Sequence, residues 1–341
     1  MNFSQNLNHT LQKKVSESIV PPVLQCSFGI LGNLTAIVLL CVSSRRHKWK
    51  PFHRFVCGLA VTDLCGIAFV YPAVIVRYAS GFTYDYPKEL CEFVSFVFSF
   101  SFMSSALIVS GMSLDRFLAI VYPHLYRNSP KRRTNAILFA IWLFTAIISS
   151  LNLMGLGSVK NFYPGSWCFI NFASTGFLER LNTYIYSVVG FIVMAGTAFL
   201  NIAVVVTVCR RPKVSKDTPK GKRNEIFVII FLFSIVTLFS ICWIPLMVRM
   251  LINASSSNPR NGPEELLAVR MTITNAIIDP WIYIILRKEN LVKMSRLQER
   301  LYDCLRLRTV YTTTESLPTK DESNAIEGSA ANTATTCSTE L

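Results

Sequence analysis

Seven apolar stretches, each about 20 residues or longer, limit what this chain can become. They run roughly over Ile19–Val42, His53–Arg77, Leu90–Val121, Asn135–Met154, Thr183–Cys209, Ile226–Leu251 and Leu266–Leu286. Each is long enough to cross ~30 Å of hydrocarbon at ~1.5 Å per residue. Hydrocarbon cannot hydrogen-bond a peptide group, so a helix, which pairs its own N–H and C=O groups, is the form expected. Single polar residues interrupt most of the runs, so the helices turn faces to one another as well as to lipid. The expectation is an all-α membrane protein with a seven-transmembrane-helix bundle over 19–286. Only 16% of residues are charged, against about 25% in a soluble domain. No second globular domain fits beside the bundle, and no internal repeat is visible. Residues 1–18 form a polar tail, and the first run reads as a span that is kept and not as a cleaved signal peptide.

The net charge of +14 would suggest nucleic acid in a soluble protein. Here the excess is confined to alternate connections: Arg45, Arg46, Lys48 and Lys50 after the first run, Arg127 and Lys131–Arg133 after the third, a basic cluster over 210–223 after the fifth, and Arg287 onward after the seventh. The other connections are mixed in sign. Cytoplasmic loops carry the lysine and arginine excess, so this pattern predicts an extracellular N-terminus, a cytoplasmic C-terminus and no nucleic-acid partner. The sequons at Asn2 and Asn8 then lie outside and predict glycosylation. After the seventh run, Leu291, Met294, Leu297, Leu301 and Leu305 recur at helical spacing among Lys293, Arg296, Arg300 and Arg306. That pattern predicts a short amphipathic eighth helix over 287–308, lying on membrane lipid. Cys304 beside its apolar stripe is a candidate for palmitoylation. Residues 309–341, rich in Ser and Thr with scattered acids, predict a disordered cytoplasmic tail.

Polar residues inside the spans are the candidate functional groups, because charge in hydrocarbon costs about 2.5–3.5 kcal/mol by insertion scales. Arg270 opens the seventh span, and the one acid in that span, Asp279, lies about 13 Å away along a helix. Two readings of Arg270 stand: it meets an anionic ligand, or it snorkels or meets an acid elsewhere. The further cations Arg77, Arg180 and Arg249, near the outer ends of other spans, read as snorkelling side chains. Asn33 reads as a hydrogen bond between helices, and Asp63 as part of a hydrated polar site that could hold a cation. Cys91 and Cys168 both fall on the oxidising side, which predicts a disulfide. Asp115-Arg116 ends the third span with a breakable ion pair. Pro245, after Trp243, and Pro280, after Asp279, each remove a backbone donor and predict kinks.

Asn33, Asp63, Asp115-Arg116, Trp142, Cys242-Trp243-Ile244-Pro245 and Asp279-Pro280-Trp281-Ile282-Tyr283 occur in order along the chain. As a set over roughly 19–305 they resemble the rhodopsin-like G-protein-coupled receptors. Two finer motifs look like the prostanoid receptors, and most like the fourth subtype of prostaglandin E receptor: the run from Met154-Gly-Leu-Gly157 to Tyr163-Pro-Gly-Ser-Trp-Cys-Phe169, and Arg270 set nine residues before Asp279-Pro280. The resemblance implies that Arg270 binds a ligand carboxylate, that Tyr78 helps hold the ligand, and that a lid carries Ser166, Trp167 and Phe169 over the pocket. It implies the Cys91–Cys168 pairing. It gives Asp115, Arg116, Trp243, Pro245, Asp279, Pro280 and Tyr283 roles in activation and G-protein coupling. The chain departs from the family at Ser166, where threonine is usual, and at Phe117, where the wider class has tyrosine. It also has Trp243 where prostanoid receptors often have a smaller residue.

The function implied is a receptor for prostaglandin E (dinoprostone) that activates a stimulatory heterotrimeric G protein and raises cyclic AMP, with arrestin docking on a phosphorylated tail. No enzyme chemistry, cofactor or metal is implied. The alternatives are a receptor for another prostanoid or acidic lipid, or an organic-anion transporter, which tends to show repeats. A light receptor needs a retinal-binding lysine, and Leu266–Leu286 contains none.

Overall fold

The computed structural model describes residues 17–46, 51–127, 132–210, 219–255 and 261–286. Asn2, Asn8, the helix predicted over 287–308 with Cys304, and the tail over 309–341 lie outside the described residues. Seven long helices correspond to the seven apolar runs: α1 (Val20–Arg46), α2 (Pro51–Ala79), α3 (Lys88–Val121), α5 (Arg132–Ser150), α6 (Phe177–Arg210), α7 (Pro219–Ser255) and α8 (Gly262–Leu286). A five-residue helix, α4 (Pro123–Arg127), follows α3. All contacts discussed below lie within the unit ending at Ile284.

By length and composition, six of the long helices are apolar enough to cross a membrane. α8 falls outside that set because Arg270, Thr272, Thr274, Asn275 and Asp279 lower its hydropathy. Its polar groups are turned to neighbouring helices, as shown below. The fourth span stops at Ser150, four residues before the predicted Met154. Gly155 at φ 91° and Gly157 at φ 148° take the chain into a region that side chains with a Cβ avoid, so the helix cannot continue. α6 starts at Phe177, earlier than the apolar run, because its first turns carry polar residues at the end of the bundle.

Between α5 and α6 the chain forms a β-hairpin that the hydropathy pattern does not reveal. β1 (Val159–Phe162) pairs antiparallel with β2 (Trp167–Ile170), with Phe162 opposite Trp167 and Asn161 opposite Cys168. Gly165, at φ 95°, makes the turn. Every residue of β2 is buried. The strand lies over the bundle, and the Cys91–Cys168 disulfide fastens it to the first turn of α3, with the two Cα atoms 5.3 Å apart. Gly262, which opens α8, sits against the Tyr163 ring; a Cβ there would lie 2.8 Å from its Cγ. The hairpin therefore reaches from α3 to the start of α8.

α3 is the central helix. In its membrane-length stretch 72% of the residues are buried, against 22% in α5 and in α6. It packs against α2, α5, α6, α7 and both strands. Beneath the hairpin, Phe98, Phe102, Phe162, Trp167, Phe169, Phe172 and Tyr186 form an aromatic core. Phe162 stacks on Trp167 at 4.8 Å and on Phe172 at 4.3 Å, and Phe169 meets Tyr186 edge-on at 5.8 Å. Inside lipid the hydrophobic effect does not drive helices together, so close packing must. Gly190 of α6 allows Trp243 of α7 to lie where a Cβ would be only 2.9 Å from its ring.

Candidate functional site

Two polar layers and one charged cluster run down the bundle from the hairpin end. The first layer centres on Arg270, two turns into α8. Its Nη2 donates to the Tyr78 hydroxyl at 3.0 Å and to Glu17 Oε2 at 3.1 Å. The Arg270 and Glu17 side chains are each 27% exposed, so this is a wet, accessible pair at the mouth of the bundle and not a sealed one. Arg270 Nη1 and Nε make no hydrogen bond among the described residues. Below it, Gln25 of α1 links α8 and α2: its Nε2 donates to Thr274 Oγ1 at 3.3 Å, and its Oε1 accepts from the Tyr71 hydroxyl at 3.1 Å. Arg270 thus meets an acid from elsewhere in the chain, Glu17. Glu17 was not a candidate, because nothing in a polar tail points to an arginine 253 residues away. Its one signal is being the last acid before the first span.

Ser166, Trp167 and Phe169 stand at the same end, in the hairpin, and all three are buried. No hydrogen bond joins them to Arg270 among the described residues. They are held by a different arginine. Arg77, in the last turn of α2, is 5% exposed. Its Nε donates to the Gly165 carbonyl at 2.7 Å, its Nη1 to Asp85 Oδ1 at 3.0 Å, and its guanidinium lies 5.6 Å from the centre of the Tyr86 ring. Tyr86 in turn donates to the Ser166 carbonyl at 2.9 Å. Burial pushes the Tyr86 phenol up, an effect partly offset by Arg77, so Tyr86 remains a neutral donor. The snorkelling read from the sequence is therefore wrong for Arg77, because the hairpin supplies a carbonyl acceptor within reach. Arg249, more exposed than Arg77, pairs with Glu264 and, with the Asn253–Glu265 hydrogen bond of 2.7 Å, ties α7 to α8.

The second layer lies deeper. Ser105 donates to Asp63 Oδ1 at 2.6 Å, and Asn275 donates to Asp279 Oδ2 at 2.8 Å. Asn33 donates to the Gly29 and Ala276 carbonyls at 3.0 and 3.1 Å, which pins α1 to α8. Asp63 Oδ2, Asp279 Oδ1, Asn275 Oδ1 and Asn33 Oδ1 are buried acceptors with no hydrogen-bond partner among the described residues. Four such oxygens are chemically suited to water or a monovalent cation, because an unmatched buried acceptor is costly. A cavity of about 30 Å³ opens between Asp63, Tyr71, Phe98 and Ala276.

A charged cluster lies at the end opposite the hairpin. Arg116 pairs with its neighbour Asp115. Its Nη2 also lies 3.4 Å from the Tyr126 hydroxyl of α4, and its guanidinium 5.3 Å from the centre of the Phe52 ring. Burial raises the Tyr126 phenol, so it too stays a neutral donor. Halfway along the bundle, Trp243 is buried against Phe239 at 4.9 Å. Pro245 sits inside α7 and cannot donate to the preceding turn. Thr272 of α8 supplies a hydroxyl to the nearby Cys242 carbonyl at 3.1 Å. Pro280 lies inside α8 in the same way, and Tyr283 is buried one turn on from Asp279.

A family profile described as 7 transmembrane receptor (rhodopsin family) matches residues 32–283. The prostaglandin E2 receptor EP4 subtype of Homo sapiens is 31% identical over 327 residues, covering 82% of this chain and 66% of that protein. The prostacyclin receptor of Mus musculus is 30% identical over 289 residues, covering 80% of this chain and 69% of that protein. The chain thus spans about two thirds of the length of these relatives. The crystal structure of squid rhodopsin superposes with a TM-score of 0.70 at 18% identity, covering 84% of this chain and 85% of that one, a likeness of fold.

Proposed function

Because the chain belongs to the rhodopsin family of seven-transmembrane receptors, and within it to the prostanoid receptors, we propose that it is a cell-surface receptor for a prostaglandin of the E type that couples to a stimulatory G protein and raises cyclic AMP. The observation that carries this reading is the Arg270 guanidinium at the mouth of the bundle, which already holds a carboxylate at 3.1 Å beside the Tyr78 hydroxyl at 3.0 Å. An acid head fits that guanidinium, and the aromatic core under the hairpin suits an oily body. The hairpin, with Ser166, Trp167 and Phe169, serves as lid.

In this reading the hairpin end faces outward and the Arg116 end faces the cytoplasm, where a G protein binds. Asn2 and Asn8 carry glycans. Residues 287–308 lie on membrane lipid with Cys304 palmitoylated, and phosphates on the tail recruit arrestin. Family membership removes the organic-anion transporter, and the protein is a receptor and not an enzyme. A second reading, a receptor for another acidic prostanoid, draws on the prostacyclin-receptor relative. A cyclic AMP assay in transfected cells against a panel of prostaglandins separates the two. The carboxylate contact is tested by competition binding of prostaglandin E2 and its methyl ester to the wild type and to Arg270→Leu. Loss confined to the acid supports the reading, and equal loss for both ligands defeats it.

A further inference from the structure

Glu17 lies where an acidic ligand would have to arrive. It stands three residues before α1 and reaches the Arg270 guanidinium of the last span. Three other acids at this end are engaged elsewhere: Glu264 by Arg249, Glu265 by Asn253, and Asp85 by Arg77. The geometry of the Glu17 contact is incomplete. One carboxylate oxygen meets one guanidinium nitrogen, and that same nitrogen also serves Tyr78. A carboxylate that uses both of its oxygens on an arginine fork binds more strongly than a single contact of this kind. About a quarter of each side chain is exposed, so the Glu17 carboxylate can swing into water and is rehydrated when the pair opens.

We infer that Glu17 is a specificity-determining residue: a tethered carboxylate that competes with the acid head of a ligand for Arg270 and narrows the receptor's preference for acids over their neutral esters. This rests on the reading of Arg270 as the carboxylate site. Both forks of the guanidinium, Nη1–Nη2 and Nε–Nη2, include the nitrogen that Glu17 occupies, so a ligand acid must either displace Glu17 or bind next to a like charge, and both oppose it. A partly exposed pair closes with an equilibrium constant of about 1.5 to 5. Competition of that strength weakens an acidic ligand by about two- to sixfold, since only the open fraction is competent to bind. An ester has no anion to repel or to place on the fork, so it is unaffected.

The test is competition binding of prostaglandin E2 and its methyl ester to the full-length receptor in four forms: wild type, Glu17→Gln, Arg270→Leu, and both changes together, matched for surface expression. Glutamine keeps the size of the side chain and removes the charge. The expected result is that Glu17→Gln tightens the acid about two- to sixfold, leaves the ester unchanged, and has no effect when Arg270 is already leucine. Unchanged or weaker acid binding in Glu17→Gln overturns the inference. So does a parallel loss for acid and ester, which would make Glu17 a strap for the fold. If Arg270→Leu weakens the acid selectively while Glu17→Gln is silent, the inference alone fails. If Arg270→Leu affects both ligands equally, the carboxylate reading fails and takes the inference with it.

Discussion

Arg77, at the end of the second span, donates its Nε proton to the carbonyl of Gly165 in the hairpin turn, 2.7 Å away and 88 residues on. It is the buried charged contact that holds the hairpin to α2. Hydrogen bonds to charged groups contribute about 1.5–3 kcal/mol. Arg77→Leu is therefore expected to loosen the lid and speed ligand dissociation about tenfold or more. Asp85, whose side chain is 94% exposed, adds a screened partner. Asp85→Ala is expected to change the same rate by less than about fivefold. Radioligand wash-out on the two variants checks this.

Arg270→Leu is expected to weaken acidic prostaglandins by roughly one to two decades. Arg270→Lys recovers only part of that, since lysine keeps the charge but loses the planar fork. Competition binding with the acid and its ester provides the measurement.

The Cys91–Cys168 bond closes a sequence separation of 77 residues. By the chain-entropy account, closing a loop of that size constrains the unfolded chain by about 4.5 kcal/mol. Cys91→Ser is expected to lower the melting temperature of the solubilised receptor and its ligand binding together. The double change Cys91→Ser with Cys168→Ser should match the single one. A ligand-binding thermal assay reports both quantities.

The Asp115–Arg116 pair, with Tyr126 beside it, lies at the end opposite the hairpin, where the proposed receptor function makes it a restraint. Asp115→Asn removes one side of that pair. A coupling of about 1 kcal/mol shifts a two-state equilibrium about fivefold, so basal cyclic AMP should rise by about that factor at equal surface expression. No change in basal or stimulated signal would remove the restraint argument.

Thr272 bonds the Cys242 carbonyl near Pro245. Hydrogen bonds between membrane helices average only about 0.6 kcal/mol. Thr272→Val should therefore shift agonist potency by no more than about threefold. A much larger shift in a cyclic AMP dose–response would mean that Thr272 does more than bridge two helices.

Hydropathy and charge along the chain are sufficient to specify seven spans, their approximate ends and the polar residues that must face inward. Each of these is a local property, and lipid enforces it segment by segment. Arg270, Asp63, Asp279 and the Asp115-Arg116 pair are legible for that reason: a charge inside an apolar run stands out. Their partners are not legible. Glu17 and Gln25 for the Arg270 layer, the Gly165 carbonyl for Arg77, and Tyr126 for Arg116 are ordinary residues in ordinary stretches. The hairpin over 159–170 was hidden too, because each strand is four residues long and β2 is buried throughout, which erases the alternation that marks a strand. Which cation holds the hairpin and which meets an acid depends on what folding brings within about 3 Å. The chain order carries no trace of a contact made across 88 or 253 residues.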